Sequence, residues 1–220
     1  MEEQANFKSE RSTVRRVPKR AHYDAATVFS VLDANFVGQV AFQLEGQPFQ
    51  IPMLYGREGN VLYLHGSKKS RIYQTLARGI PCSLGVTLVD GIVVARSAFH
   101  HSVNYRSVVV FGRCAPVGDP EEKLAVFERF TDAIIPGRWA ECRPINAKEA
   151  KVTGILALTI EDASAKIRTG GPVDETADYD LPIWAGVVPL ETTYGVPVED
   201  QNSKITCEVP GSVRELVNDK

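Results

Sequence analysis

The stretch Val61-Leu62-Tyr63-Leu64-His65-Gly66-Ser67-Lys68-Lys69-Ser70-Arg71 passes from a strand pattern into a helix start through one glycine. Its first five residues alternate, so Val61, Tyr63 and His65 share one face while Leu62 and Leu64 share the other. Ser67 is a good N-cap for a helix that stops before Gly79-Ile80-Pro81, with Ile72 and Leu76, and Tyr73 and Ala77, at i, i+4 spacing. A helix start leaves four amides unpaired and carries about half a positive charge. Acidic residues are the usual choice there, yet Lys68, Lys69 and Arg71 crowd this turn beside the hydroxyls of Ser67 and Ser70. That misfit points to an anionic ligand, a terminal phosphate above all. The competing reading is a solvated basic face. His65 falls at the strand end beside the turn, either as a structural hydrogen-bonding residue or as a functional one.

The flanks supply more strands. Upstream, Asp24 caps a helix carrying Val28, Phe29, Val31 and Leu32 on one face. From Gly38, Val40, Phe42 and Leu44 alternate with Gln39, Ala41 and Gln43, and Gly46-Gln47 turns the chain into a strand over Phe49–Tyr55. Downstream, Asp90-Gly91 between apolar runs Cys82–Val89 and Ile92–Ser97 reads as a two-residue hairpin. Asn104–Val117 is a long strand with Gly112 as a bulge or bend. Asp119-Pro120 opens a helix over Glu121–Ile135, with Leu124, Phe127, Ala133 and Ile134 expected inward, and Gly154–Glu161 is a last core strand. Residues 8–20 carry six Lys and Arg and read as an exposed arm.

Six or seven strands in hairpin order, with three inserted helices, require antiparallel pairing and favour closure. The expected fold class is α+β: an antiparallel barrel domain over 21–195, an arm over 1–20 and a tail over 196–220. With 44% apolar and 24% charged residues among 220, the composition is that of an ordinary globular chain. A net charge of −2 offers nucleic acid no general attraction. Apolar runs such as Val86–Val89 and Ile155–Leu158 are strand-length, far below the roughly 20 residues of a membrane span. No signal-peptide pattern opens the chain, and Cys82, Cys114, Cys142 and Cys207 form no CxxC pair. The reading is a cytoplasmic protein with buried reduced thiols. His100-His101 have no further ligand at metal spacing, so no metal site is expected. Trp184, in Pro182-Ile183-Trp184-Ala185-Gly186-Val187-Val188-Pro189, is either a core anchor or an aromatic wall for a flat ligand.

Several short motifs stand in a telling order: Arg20-Ala21-His22-Tyr23-Asp24, Pro48-Phe49-Gln50-Ile51-Pro52-Met53, Leu62–Ser67, Tyr105–Gly112, Ala165–Arg168 and Trp184–Pro189. Together they resemble the pyridoxamine 5′-phosphate oxidase-like, FMN-binding split-barrel family, and within it the flavin-nucleotide-binding branch that includes Nim-type nitroimidazole-resistance proteins. The resemblance runs from about Arg16 to Pro189. It implies a split-barrel homodimer with two FMN sites, each at the subunit interface. It places Pro52, Met53 and Leu54 along the isoalloxazine, and Leu64, His65 and Ser67 on the flavin or its ribityl chain. Lys69, Ser70 and Arg71 fall on the phosphate; Arg106, Ser107 and Trp184 approach from neighbouring strands or from the other subunit.

The sequence also departs from the family. Pyridoxamine phosphate oxidases carry an Arg-x-Val-Leu-Leu-Lys strand, whereas Gln50–Tyr55 has neither base, so looser FMN binding is expected and that oxidase activity is not. The functional expectation is an FMN-dependent oxidoreductase passing electrons to a small organic acceptor, with His65 as proton donor. The alternative is a non-catalytic flavin- or haem-binding protein, since haem-utilisation proteins share this barrel; His65, His100 or His101 would then supply an axial ligand. A structural dimer with a vestigial pocket is the third reading.

Overall fold

The longest strand is β7 (Thr153–Arg168), and in the computed structural model, which describes residues 6–218, it organises the sheet. It pairs on one side with β4 (Val61–Ser67), from Val61 opposite Thr159 to Ser67 opposite Thr153. On the other side it pairs with β6 (Ser102–Pro116). β4 pairs with β3 (Gln47–Glu58), β3 with β2 (Val37–Leu44), β2 with β5 (Pro81–Val94), and β5 with β6. All pairings are antiparallel, and the path β7–β4–β3–β2–β5–β6 returns to β7. Two short strands join at the margins, β1 (Ala21–His22) on β7 and β8 (Gly186–Pro189) on β5. The result is α+β, as expected.

Strand alternation fills the interior. Leu62, Leu64, Val40, Leu84, Val110 and Leu158 are buried inside the ring of strands. Each such side chain contributes about 1.5–3 kcal/mol over its exposed state. The helix α1 (Ala25–Asp33), capped by Asp24 through the Thr27 amide, adds Val28, Val31 and Leu32 to this core. The basic segment is not a free arm. Arg11 pairs with Asp162 and Glu161, Ser12 is buried against the Phe7 carbonyl, and the Val14 amide donates to the Tyr23 hydroxyl. Residues 1–5 of the expected arm lie outside the described residues.

Three local expectations are corrected. The helix α2 (Arg71–Leu76) is capped by Ser70, not Ser67, because β4 runs on through Ser67 to pair with Thr153. Asp90-Gly91 is not a hairpin: β5 continues through it with a register shift between Val89 and Gly91. There Asp90 takes a bidentate contact from Arg106, and Gly91 sits where a Cβ would come 3.0 Å from the Val188 carbonyl oxygen of β8. In α3 (Pro120–Ile134) the buried residues are Lys123, Val126 and Phe130, while Leu124 is half exposed. Phe130 packs on the Gly56 backbone and edge-on to His65, and that contact sets the rotation of the helix. Past 196 the chain includes α5 (Gly211–Asn218), held where Ser212 donates to the Glu141 carboxylate.

The thiols divide two and two. Cys82 and Cys114, which stand in apolar strand runs, are buried with their sulfurs 3.8 Å apart, whereas Cys142 and Cys207 are exposed. The hydrogen bond with Cys82, reinforced by burial, pushes the Cys114 thiol well above its ordinary range. A chromogenic thiol titration of the native protein is therefore expected to show two fast-reacting groups and two that react only on unfolding. Four fast groups would mean that the β5–β6 contact opens readily.

Candidate functional site

The β3–β4 ladder ends at Tyr55 opposite Leu64. Beyond that pair the two strands part, β3 through Leu54, Met53 and Pro52, and β4 through His65, Gly66 and Ser67. The opening lies directly beside the basic turn. Pro52 and Leu54 point outward, Leu54 being 38% exposed, while Met53 packs on the core. Leu64 also faces inward and is fully buried, so only its main chain can meet a ligand on this side.

Turn geometry organises the cations. Ser70 accepts from the Tyr73 amide and donates to the Ser67 carbonyl, so its hydroxyl holds the turn together. The Lys68 amide donates to Val152 and the Lys69 amide to the Ser67 hydroxyl. The Arg71 and Ile72 amides, at the first two positions of α2, have no intrahelical acceptor and remain available to an anion. Lys69 is exposed, and Arg71 is exposed with its guanidinium 4.9 Å from the Phe49 ring centroid. With the helix starting at Arg71, only one base sits in the first helical turn; Lys68 and Lys69 precede it.

His65 lies at the edge of this opening under α3, its ring edge-on to Phe130 at 4.4 Å. Its Nδ1 is buried without a hydrogen-bond partner, and burial lowers its pKa from the ordinary 6.5. The imidazole is thus neutral near pH 7. A buried polar atom is rarely left unpaired, and this one lies beside a turn that carries exposed cations. The titration also has a stability consequence. Because the folded pKa lies below the unfolded 6.5, the unfolded chain takes up a proton that the folded chain refuses as pH falls through that window. Stability is therefore lost on acidification from about pH 6.5 down to the folded pKa, and this loss is absent in His65→Phe. Thermal midpoints of both proteins at about pH 8 and about pH 5.5 test this; equal pH dependence would show that His65 does not titrate in this way.

The remaining candidates lie across the sheet. The outer face continues from Pro52 through Gln39 and Gly85 to Val109, three strand spacings or about 14 Å. Ser107 lies opposite Thr87 on this face and donates to the Lys166 carbonyl. Gln39, Gln50, Gly85 and Thr87 line a hollow of about 360 Å³ there. Arg106 is neutralised by Asp90, with contacts of 2.8–3.2 Å, and this pairing raises its pKa. Trp184 is 65% exposed and lies against the Gly186 main chain at the β8 edge. β8 joins the Val94 end of β5, beyond Ser102 of β6, while the basic turn adjoins Thr153 at the opposite end of β7. One chain therefore brings Pro52, Leu54, His65, Ser67, Lys69, Ser70 and Arg71 to one opening, and leaves Trp184 remote from it. Sequence reasoning missed Asp90 as the partner of Arg106, because its Asp-Gly context reads as a turn. It also missed Thr87 and Gln39, which carry no local signal.

Among the described residues no helix is long and apolar enough to cross a membrane. The family model for pyridoxamine 5′-phosphate oxidase matches residues 24–167. Among solved structures, the flavocytochrome Anf3 from Azotobacter vinelandii is 37% identical, over 94% of this chain and 97% of that one, with a TM-score of 0.88. The FAD- and haem-binding protein from Mycobacterium smegmatis is 36% identical, over 90% and 97%, with a TM-score of 0.86. A protein from Bacteroides thetaiotaomicron described as a 5-nitroimidazole antibiotic resistance protein is 18% identical over 67% and 86%, with a TM-score of 0.57, a likeness of fold alone. No curated protein matches the chain. The antiparallel sheet with its inserted helices defines an α+β domain whose β3 and β4 part at one end. The chain belongs to the pyridoxamine 5′-phosphate oxidase-like family.

Proposed function

We propose that this chain is a flavin-binding redox protein on a split barrel, working as a homodimer. The observation that carries the reading is the parting of β3 from β4 beside a turn with exposed cations and two free helix amides. Lys69, Arg71 and the Arg71 and Ile72 amides would take the phosphate, FMN's terminal group or the pyrophosphate of FAD. Ser70 holds that turn in shape, and Pro52 and Leu54 offer the apolar surface on which the ring would lie. The flavin supplies electron transfer when bound; the chain binds it, orients it and shields one face from water. His65, neutral through burial, contributes a hydrogen bond from a fixed ring, not a ready acid. The electron acceptor in this reading is a small organic molecule.

The dimer is supported by what a single chain leaves open. Leu54, Val89 and Val109 expose 38–41% of their surface on the outer sheet, and Trp184 cannot reach its own basic turn. A partner would cover the first three and bring its aromatic residue to the opening.

A haem-binding reading is favoured by the two relatives more than a third identical, one a flavocytochrome and the other binding FAD and haem. Among the histidines, His101 does not fit as an axial ligand: its Nδ1 accepts from the Ala95 amide at 3.1 Å, which puts the ring proton on Nε2. An absorption spectrum of freshly purified protein, repeated after adding FMN or FAD and removing the excess, tests both readings. Retained flavin bands are the expected result, and an intense Soret band in the same spectrum adds haem. Neither band, with no rise in thermal midpoint on flavin addition, would overturn the proposal. Sedimentation of the flavin-loaded protein should give the mass of two chains, and a loaded monomer would refute the dimer.

A further inference from the structure

Between α3 and the short helix α4 (Ala147–Val152) lies a cavity of about 700 Å³ that none of the residues assigned to the flavin lines. Its apolar wall is Leu124, Phe127 and Ile145, and its charged groups are Lys68, Lys123 and Lys151. Leu124 is 50% exposed. Lys123 is buried, only 8% exposed. Its Nζ donates to the main-chain oxygens of Ala150 and Thr153, which accounts for two of three N–H groups. No ion pair among the described residues involves Lys68, Lys123 or Lys151. Burial, and after it the charge of Lys68, hold the Lys123 ammonium below its ordinary value. Lys123 is a buried ammonium with one N–H unused, Lys68 and Lys151 stand exposed at the rim, and no carboxylate lines the hollow, so an anion there is the complementary charge. The volume falls within the range of small-molecule sites, where a largely apolar wall carries a few convergent polar groups.

We propose that this cavity binds an amphipathic carboxylate, an aliphatic acid of medium chain length. The chain lies along Leu124, Phe127 and Ile145. The carboxylate accepts from the third N–H of Lys123 and pairs with the ammonium groups of Lys68 and Lys151. The apolar wall selects against small inorganic anions, and the lysines select against neutral molecules of the same length. The cavity shares Lys68 with the basic turn but none of the residues assigned to the flavin, so an occupant of it can be tested independently of the flavin reading.

Calorimetric titration of the protein as purified, with octanoate as probe and octan-1-ol and acetate as controls, tests this. A single octanoate site per chain is expected, with each control binding at least about tenfold more weakly. Lys151→Ala and Phe127→Ala are each expected to weaken octanoate about tenfold, and Lys123→Met at least as much, with flavin content unchanged in the same samples. If Lys123→Met does not fold, the exposed Lys151 carries the test of the charge. No octanoate binding, octanol binding as well as octanoate, acetate competing at equal concentration, or unchanged affinity in Lys151→Ala would each overturn the proposal.

Discussion

Replacing Gly112 with alanine is expected to lower the thermal midpoint by roughly 6–12 °C, the equivalent of about 3 kcal/mol in a chain of this length. Gly112 lies on β6 at the register shift with β7, where an added Cβ would stand 2.0 Å from the Thr159 carbonyl oxygen and 3.0 Å from Leu158 Cδ1. The obstructing atom is backbone, and Thr159 is held on both sides, by Val61 of β4 and by Arg113 of β6. No rotamer change relieves such a clash, so a strand must shift. The strand that shifts is the one that fixes Ser67 opposite Thr153 and with it the basic turn, so ligand binding should weaken along with stability. Gly118 provides the comparison. It is exposed, an added Cβ meets nothing within 4 Å, and Gly118→Ala should stay within about 0.5 kcal/mol of the parent. Equal midpoints for the two variants would mean that β6 and β7 do not approach as described.

How much of the fold and the site was legible depends on whether the deciding partner was near in sequence. Leu62 and Leu64 against Tyr63 and His65 could be read directly, because a period of two leaves one assignment of faces once a core is assumed. Gly112 was legible as a bulge because an isolated glycine in a Val-rich strand weakens it and is kept where the ladder bends or another backbone comes close. Asp90-Gly91 misled for a physical reason. A tight turn and a bulge ask for the same local residues, and what selects the bulge is Arg106, sixteen positions away, together with β8 closing on Gly91. In α3 the inward residue is Lys123 and the outward one Leu124, the reverse of what hydrophobicity alone predicts. A lysine can bury its stem and spend its ammonium on the main-chain oxygens of Ala150 and Thr153, far along the chain, and no periodicity records that. Ser67 and Ser70 are equally good caps three residues apart, and only the pairing of β4 with Thr153 decides between them. The basic turn itself was legible, since its charges are neighbours in sequence. The unpaired Nδ1 of His65 was not, because it depends on Phe130 arriving from α3.

Arg71→Glu should separate ligand binding from stability, because it removes a phosphate contact while leaving the net stability of the fold nearly unchanged. In the flavin reading Arg71 places a guanidinium beside the free amides that start α2, and its stacking on Phe49 keeps it there. A charge-assisted hydrogen bond contributes about 1.5–3 kcal/mol, and a carboxylate in its place adds repulsion of the phosphate. The expected loss is at least about 3 kcal/mol, or roughly a hundredfold in flavin affinity, so the variant should be purified without flavin bands. The fold should tolerate the change, since α2 has no acidic residue in its first turn and a glutamate there gains about 0.3–1 kcal/mol from the helix dipole. That gain offsets the lost contact with Phe49, which is worth a similar amount at an exposed site, about 0.5–1 kcal/mol. Fluorescence titration with FMN and FAD, alongside thermal unfolding, reads both quantities on one sample. Parental flavin affinity in Arg71→Glu would move the phosphate away from this turn. A loss of affinity accompanied by a large fall in midpoint would show instead that the arginine acts through the fold. Lost flavin with an unchanged or higher midpoint is the outcome that only a phosphate at the start of α2 explains.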